Sequence, residues 1–329
     1  MNTKTTYLGM ELANPIVVGA SPLSTNLDTA RKLEDAGVAA IVMHSLFEEQ
    51  IIHEQRGIEQ YINKYGSSFA EALSYFPEAQ LDVGMERYLQ QIQKLKETVK
   101  LPIIGSLNGV HEGTWVDYAK SIEQAGADAI ELNLYFHPIG TFSSGTELEN
   151  AAISVIKSVR NATQLPLAVK IAPYFSALPN FIKQVEQAGA QAIVLFNRLF
   201  QPDIDIETME ATPKLRFTDP SELFLRLRWT AAMYQKTSMN IAVTGGISET
   251  KDIVKSIMAG ADCVHVVSCI MQQGPHYVKE MLNQLSSWME VKEYTSLSEM
   301  RGSMSYAKVP NPDALERANY VRILHSWAG

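Results

Sequence analysis

The chain has 329 residues, 46% hydrophobic and 19% charged, with 19 Gly and 14 Pro; this is globular composition, not that of a disordered, collagen-like or low-complexity chain. Its 36 acidic and 28 basic residues leave a net charge of -8, which argues against a general nucleic-acid footprint, and two cysteines cannot build a disulfide framework or a four-cysteine zinc site. The opening MNTKTTYLGMELANP lacks a signal-peptide core and no run approaches 18 apolar residues, so a soluble cytoplasmic protein with no membrane partner is expected.

Residues 5–14 (TTYLGMELAN) read as a short hairpin, expected to plug the bottom of whatever sheet follows. Four later segments share one grammar: LEDAGVAAIVMH (33–44), IEQAGADAIELN (122–133), VEQAGAQAIVLFN (185–197) and IMAGADCVHVVS (257–268). Each is a helix end, an Ala-Gly, a few small or polar residues and a short apolar run; the Gly suits a helix stop and the run a strand buried on both faces. NPIVVGAS (14–21), VKLPIIGSLN (99–108), TQLPLAVKIAP (163–173) and NIAVTGG (240–246) supply four more. Eight strands are thus predicted to begin near residues 16, 39, 102, 129, 166, 192, 241 and 263, separated by amphipathic helices such as 114–126 and 147–162. Eight strand-helix units predict a (β/α)8 TIM barrel as one domain spanning 1–329, rather than an open doubly wound sheet. Long loops follow strand two, with a lid over about 44–85, and strand six, over 198–239; residues 310–327 read as a C-terminal helix packed outside.

In such barrels the C-terminal ends of the strands carry the working site. Read in order, those ends hold Ala20 and Ser21, His44 and Ser45, Ser106 and Asn108, Asn133, Lys170, Asn197, Gly245 and Gly246, and Ser268. Lys170 lies in an otherwise apolar strand, LAVKIAP, where a cation needs an anionic partner: a bound ligand, or a structural carboxylate such as Glu131. TGGI (244–247) after strand seven and Ser268 after strand eight occupy the usual phosphate position of the fold, and the helix starting near Glu249 is expected to add its positive end. A phosphate at one side, amides in the middle and a lysine opposite suit a phosphorylated planar cofactor such as FMN. Arg198, next to Asn197, is placed either to bind a substrate carboxylate or as a solvated loop residue.

The order NPIVVGAS, SLNG, ELNL, VKIAPYF, LFN, TGGI resembles the dihydroorotate dehydrogenase group of FMN-binding barrels, closest to class 1, over about residues 5–290. The resemblance implies an FMN-dependent CH-CH dehydrogenase of pyrimidine biosynthesis. By it, Ala20, Ser21, Asn108, Asn133, Lys170, Gly245, Gly246 and Ser268 hold the flavin, Lys170 lying at its N1/O2 edge. Asn197 then lies near a small-molecule substrate, with a separate electron acceptor and a second copy of the chain as further partners. The departures concern the substrate. Where the family has a proton-abstracting Cys or Ser in a run like NLSCPN, this chain has NLYFHP, with Phe136 at the base position and Pro138 and Ile139 replacing the second Asn region. His137 and Tyr135 are the substitutes, His137 the better because it titrates near neutrality. The lid motif carries Ala72 in place of its leading Asn and leaves Ser74 and Tyr75 as polar candidates; Met43 or His44 stands where the family has a lysine. Oxidation of dihydroorotate is therefore expected to be poor. Two other readings stand beside this one: a metallohydrolase using His44, His111 and His137, and a non-catalytic flavin or phosphate binder.

Overall fold

The computed structural model describes residues 1–47, 84–108, 112–135, 143–198, 203–212 and 216–326. The chain opens with an antiparallel hairpin, β1 (Thr5–Tyr7) and β2 (Met10–Leu12), Thr5 lying opposite Leu12. Then come β3 (Ile16–Val18), β4 (Ala40–Val42), a two-residue β5 (Leu46–Phe47), β6 (Ile103–Asn108), β7 (Ala129–Asn133), β8 (Leu167–Ile171) and β9 (Ala192–Leu195). A separate hairpin, β10 (Asp203–Asp205) and β11 (Glu210–Thr212), precedes β12 (Asn240–Thr244) and β13 (Cys263–Val266). All the long strands run parallel. Pairing of β4 with β6 and of β13 with β3 closes the sheet into an eight-stranded barrel, with β5 extending the strand-two side along β6. Every predicted strand start falls within one residue of the observed one.

The repeat grammar has a chemical cause. Gly37, Gly126, Gly189 and Gly260 all have φ between 90° and 126°, the left-handed turn that ends each helix. Beyond three of them stands a polar residue that binds an amide at or next to the start of the preceding strand. Asp128 accepts from Ile103 N at 2.7 Å, Gln191 from Leu167 N at 2.7 Å and Asp262 from Ile241 N at 2.8 Å. Those strand-entry amides have no ladder partner below them, so the side chain supplies one.

Because side chains alternate along a strand, every second residue faces the barrel interior. The outward set (among others Ile103, Ile130, Val169, Ile193 and Val243) packs against the helices. The inward set begins at the bottom with small residues, Ala40, Ala129, Ala168, Ala192 and Ala242. They leave room for the hairpin, whose Tyr7, Leu8 and Leu12 are at most 1% exposed and pack within this ring. Leu8 N donates to Asn240 Oδ1 at 2.9 Å and Thr5 Oγ1 to the Asp262 carbonyl at 2.8 Å, seating the plug on the barrel floor as expected.

The C-terminal helix, Pro312–Leu324, lies outside the barrel with no buried residue and is tied by Glu316 to Arg228 of the helix Leu223–Met233. The RGSMS segment, silent in sequence, fastens the barrel bottom: Arg301 pairs with Asp262 and lies over the Tyr234 ring, while Gly302 N donates to the Ile257 carbonyl at 3.0 Å. Among the described residues no helix is long and apolar enough to cross a membrane. Most of the expected lid lies outside the described residues. Ala168→Leu is expected to force ring and plug apart at a cost of about 1–3 kcal/mol, read as a lower midpoint in denaturant unfolding. An unchanged midpoint would show that the hairpin is not pressed against this ring.

Candidate active site at the barrel mouth

On five strands the interior turns polar two residues above the bottom layer, while Val42 and Val194 keep the strands of Ala40 and Ala192 apolar. Ile104 is followed by Ser106 and Asn108, Ala129 by Glu131 and Asn133, Ala168 by Lys170, Ala242 by Thr244, and Cys263 by His265. Ser106, Glu131 and His265 are buried in the middle of the barrel; Asn108, Asn133 and Asn197 are buried at its upper rim. The Asn197 amide donates to Asn133 Oδ1, so the structure brings together two of the predicted amides. Lys170 Nζ stands 3.5 Å from Glu131 Oε1, its side chain 11% exposed. The structural carboxylate foreseen for Lys170 is therefore present, below a lysine that still reaches the mouth.

The strand-two side is held by a phenol. β4 stops at Val42 and β5 starts at Leu46, which leaves a gap in the ladder beside β6. Tyr88, from the helix Met85–Thr98, fills it: its hydroxyl donates to the Ser106 carbonyl at 3.0 Å and accepts from Ser106 N at 2.8 Å. His44 stands edge-on to the Tyr88 ring, 5.1 Å between centroids, and its backbone N donates to Ser24 Oγ at 2.8 Å. Burial lowers the His44 pKa, and its Nε2 is buried without a hydrogen bond among the described residues. Ser45 and Ser106 hydroxyls meet at 2.9 Å.

The opposite side gathers a glycine turn, two hydroxyls and a buried arginine. Gly245 and Gly246 have φ of 89° and 78°; a Cβ at Gly246 would lie 2.5 Å from Leu223 N, so only glycine fits this turn. Thr218 Oγ1 and Ser268 Oγ lie 3.0 Å apart, and Arg226, 6% exposed, donates to the Thr244 carbonyl at 2.8 Å. These groups line a cavity of about 110 Å³ that also touches Lys170, Phe196 and Arg198. Glu222 holds both arginines, 3.5 Å from Arg198 and 3.6 Å from Arg226. Burial pulls the Arg226 pKa down; Glu222 opposes that and the Arg198 charge adds to it.

One expectation needs correction. The helix Thr250–Ala259 does start beside Glu249, but its positive end is occupied by its own carboxylates. Glu249 and Asp252 form a capping box, and Asp252 Oδ2 also accepts from the Ser248 amide and hydroxyl. Arg198 is likewise no solvated loop residue, since it pairs with Glu222 and donates to the Arg216 carbonyl. Ala20 and Ser21 lie at the β3 exit, Ser21 Oγ buried without a hydrogen bond among the described residues. Tyr135 stands half-buried just past β7; His137, Phe136, Pro138, Ile139, Ser74, Ala72, Tyr75 and His111 lie outside the described residues. Among the described residues no three His, Cys, Asp or Glu side chains gather as metal ligands, and of the proposed histidine triad only His44 is described. Arg226, Thr218 and His265 were not anticipated. The signal for Arg226 was available, a cation after three apolar residues in the run LFLRLRW, and VHV within β13 carries the same signature for His265.

A closed parallel barrel with polar and charged side chains gathered at the C-terminal ends of its strands defines the class, a (β/α)8 barrel with its candidate site at the mouth. The family model for dihydroorotate dehydrogenase matches residues 2–289. The catalytic subunit of dihydroorotate dehydrogenase B (NAD(+)) from Thermoplasma volcanium is 28% identical over 303 residues, covering 91% of this chain and 97% of that one. Its counterpart from Methanothermobacter thermautotrophicus is 25% identical over 313 residues, with the same coverage. The NAD-dependent dihydropyrimidine dehydrogenase subunit PreA of Escherichia coli K12 is 23% identical over 342 residues, covering 96% of this chain and 80% of that one. The chain belongs to the dihydroorotate dehydrogenase family of FMN-binding barrels, and by that membership is an FMN-dependent dehydrogenase.

Tyr88→Phe should leave the buried N–H and C=O of Ser106 without the partner that fills the β4–β5 gap, at a cost of about 1–3 kcal/mol for each stranded group. Equilibrium unfolding of the variant measures it; wild-type stability would show that another group already serves Ser106.

Proposed function

We propose that the mouth of the barrel holds one FMN and that the enzyme oxidises or reduces a CH-CH bond beside a carbonyl in a small cyclic substrate other than dihydroorotate. The observation that carries the reading is a cavity on which Lys170, Gly245, Thr218, Ser268 and Arg226 converge. The residues fit the group. The turn admits no Cβ at Gly246, so backbone amides can approach a phosphate there, and Arg226 supplies a buried charge beside them. Asn108 and Asn133 present amides suited to the carbonyl and N–H edge of a flavin ring, and the unpartnered Ser21 hydroxyl faces the same need for a polar contact. When bound, FMN exchanges a hydride with the substrate and passes electrons to a separate acceptor.

The protein's own contribution is charge and proton handling. Lys170 brings a positive charge to the mouth, where it would hold a bound flavin and stabilise negative charge on its reduced form. Asn197, oriented by its bond to Asn133, and Arg198 are the proposed substrate contacts, with Ser74 from the lid segment. Tyr135 and His137 are the proposed groups for moving the substrate proton, since Phe136 cannot accept one. Purified protein is expected to release FMN, close to one per chain, on denaturation, and Gly246→Ala to lose most of it. Protein that neither carries FMN nor binds it when added would remove the reading, including the variant that keeps an empty barrel.

The substrate follows from what the loops lack. Relatives of comparable identity carry the names dihydroorotate dehydrogenase and dihydropyrimidine dehydrogenase, so likeness alone does not choose between rings with and without a carboxylate. Phe136, Ala72 and Pro138 remove a base and two polar contacts from the positions that serve dihydroorotate in the resemblance, and a positioned base contributes about 10²–10⁴-fold. Mixing the oxidised enzyme with dihydroorotate without oxygen should bleach the flavin band slowly or not at all. Rapid bleaching, slowed by His137→Ala or Ser74→Ala, would reverse the substrate assignment and name the base.

A further inference from the structure

Between the alanine ring and the mouth lies a charged layer for which the chemistry above has no use. Glu131 is fully buried, and neither carboxylate oxygen has a hydrogen bond among the described residues. Its Oε1 lies 3.5 Å from Lys170 Nζ and its Oε2 3.5 Å from His265 Nδ1. A carboxylate out of water and without hydrogen bonds persists only where a cation faces it. His265 is not that cation: burial pushes its pKa down to about 4, so the ring is neutral near pH 7. Tyr7, edge-on to His265 at 5.8 Å from below, is a neutral phenol, its pKa pushed well up by burial. The charge on Glu131 is therefore matched by Lys170, and the lysine has this one carboxylate beneath it and the mouth above.

We propose that Glu131 is a positioning residue for Lys170: it anchors the ammonium at the floor of the mouth and sets how much positive charge the mouth presents. The redox consequence rests on the FMN reading, while the anchoring does not. Removing one member of a buried ion pair strands the other, and removing both relieves the stranded group. In flavin-free protein, Glu131→Gln and Lys170→Met should each lower the thermal midpoint, and the double variant should be more stable than additivity of the two allows. Strict additivity would overturn the proposal.

The second measurement separates positioning from mere structure. With FMN bound, Glu131→Gln leaves the Lys170 charge uncompensated, so reduced flavin should gain about tenfold in affinity over oxidised flavin and the midpoint potential should rise. Lys170→Met should shift it in the opposite direction. Glu131→Asp, which keeps the charge, should return the potential towards wild type. A wild-type potential in FMN-loaded Glu131→Gln would overturn the proposal whatever the stability cycle shows. If no flavin binds, the FMN reading fails by itself, and the stability cycle alone decides whether Glu131 anchors Lys170.

Discussion

Closure of the sheet is the constraint from which the rest follows. Once β4 pairs with β6 and β13 with β3, every second side chain of eight strands must enter a space that is already limited. The bottom of that space is filled from below by Tyr7, Leu8 and Leu12, which fits the small residues at most of the lowest inward positions, five of them alanine. Apolar filling therefore ends early, and the inward positions above it can be polar. Ser106, Glu131, Lys170 and His265 occupy them, and the asparagines lie one step higher. Depth along the strand axis thus sorts the barrel into a packed floor, a charged middle and an amide-rich rim. The plug, whose Tyr7 reaches up to His265, sets the height at which the polar layer begins.

The anion side shows a second consequence of packing charge at close range. Arg226 is buried against the Gly245 turn, where an uncompensated guanidinium would be costly, and Glu222 lies within 3.6 Å of it. The same carboxylate reaches Arg198 at 3.5 Å, so two cations share one anion. That leaves a surplus of positive charge facing the cavity without stranding either arginine. The arrangement mirrors the other wall, where one carboxylate, Glu131, stands under Lys170. In both places an acid, fully buried at Glu131 and half-buried at Glu222, holds a cation in position, and the face turned to the cavity stays positive.

Strand positions were legible in the sequence almost residue by residue, because a two-face-buried strand followed by a helix that stops at glycine leaves a pattern that nothing else imitates. The mouth residues followed from that register, since the last inward position of a strand can be counted once its start is known. Partnerships across the barrel were not legible. Asn197 with Asn133, Ser268 with Thr218 and Tyr88 with Ser106 join segments 18 to 64 residues apart, and no local pattern encodes such pairs. The helix at Glu249 shows the converse error: its N-terminus was recognised, but Asp252, three residues on, is a cap that consumes the positive end expected to serve a ligand. Arg226 escaped notice because helix residues were weighed as packing, although an arginine in an apolar stripe must find a carbonyl or an acid, and here it finds Thr244 and Glu222.

The departures from the family pattern fall in a narrow set of places. In sequence Ala72, Phe136 and Pro138 fall in the segments that follow strands two and four, whereas Asn133 and Lys170 lie on strands β7 and β8 themselves. This division has a physical basis. A residue within a strand is fixed by ladder bonds on both sides and by its inward parity, so altering it disturbs the neighbouring layer as well as the ligand. A residue in a βα loop answers only to the loop. Lys170 illustrates the first case, for its replacement would strand Glu131 in the barrel centre. Strand residues are consequently held in place through the cost of disturbing their layer, whereas loop residues are free to change.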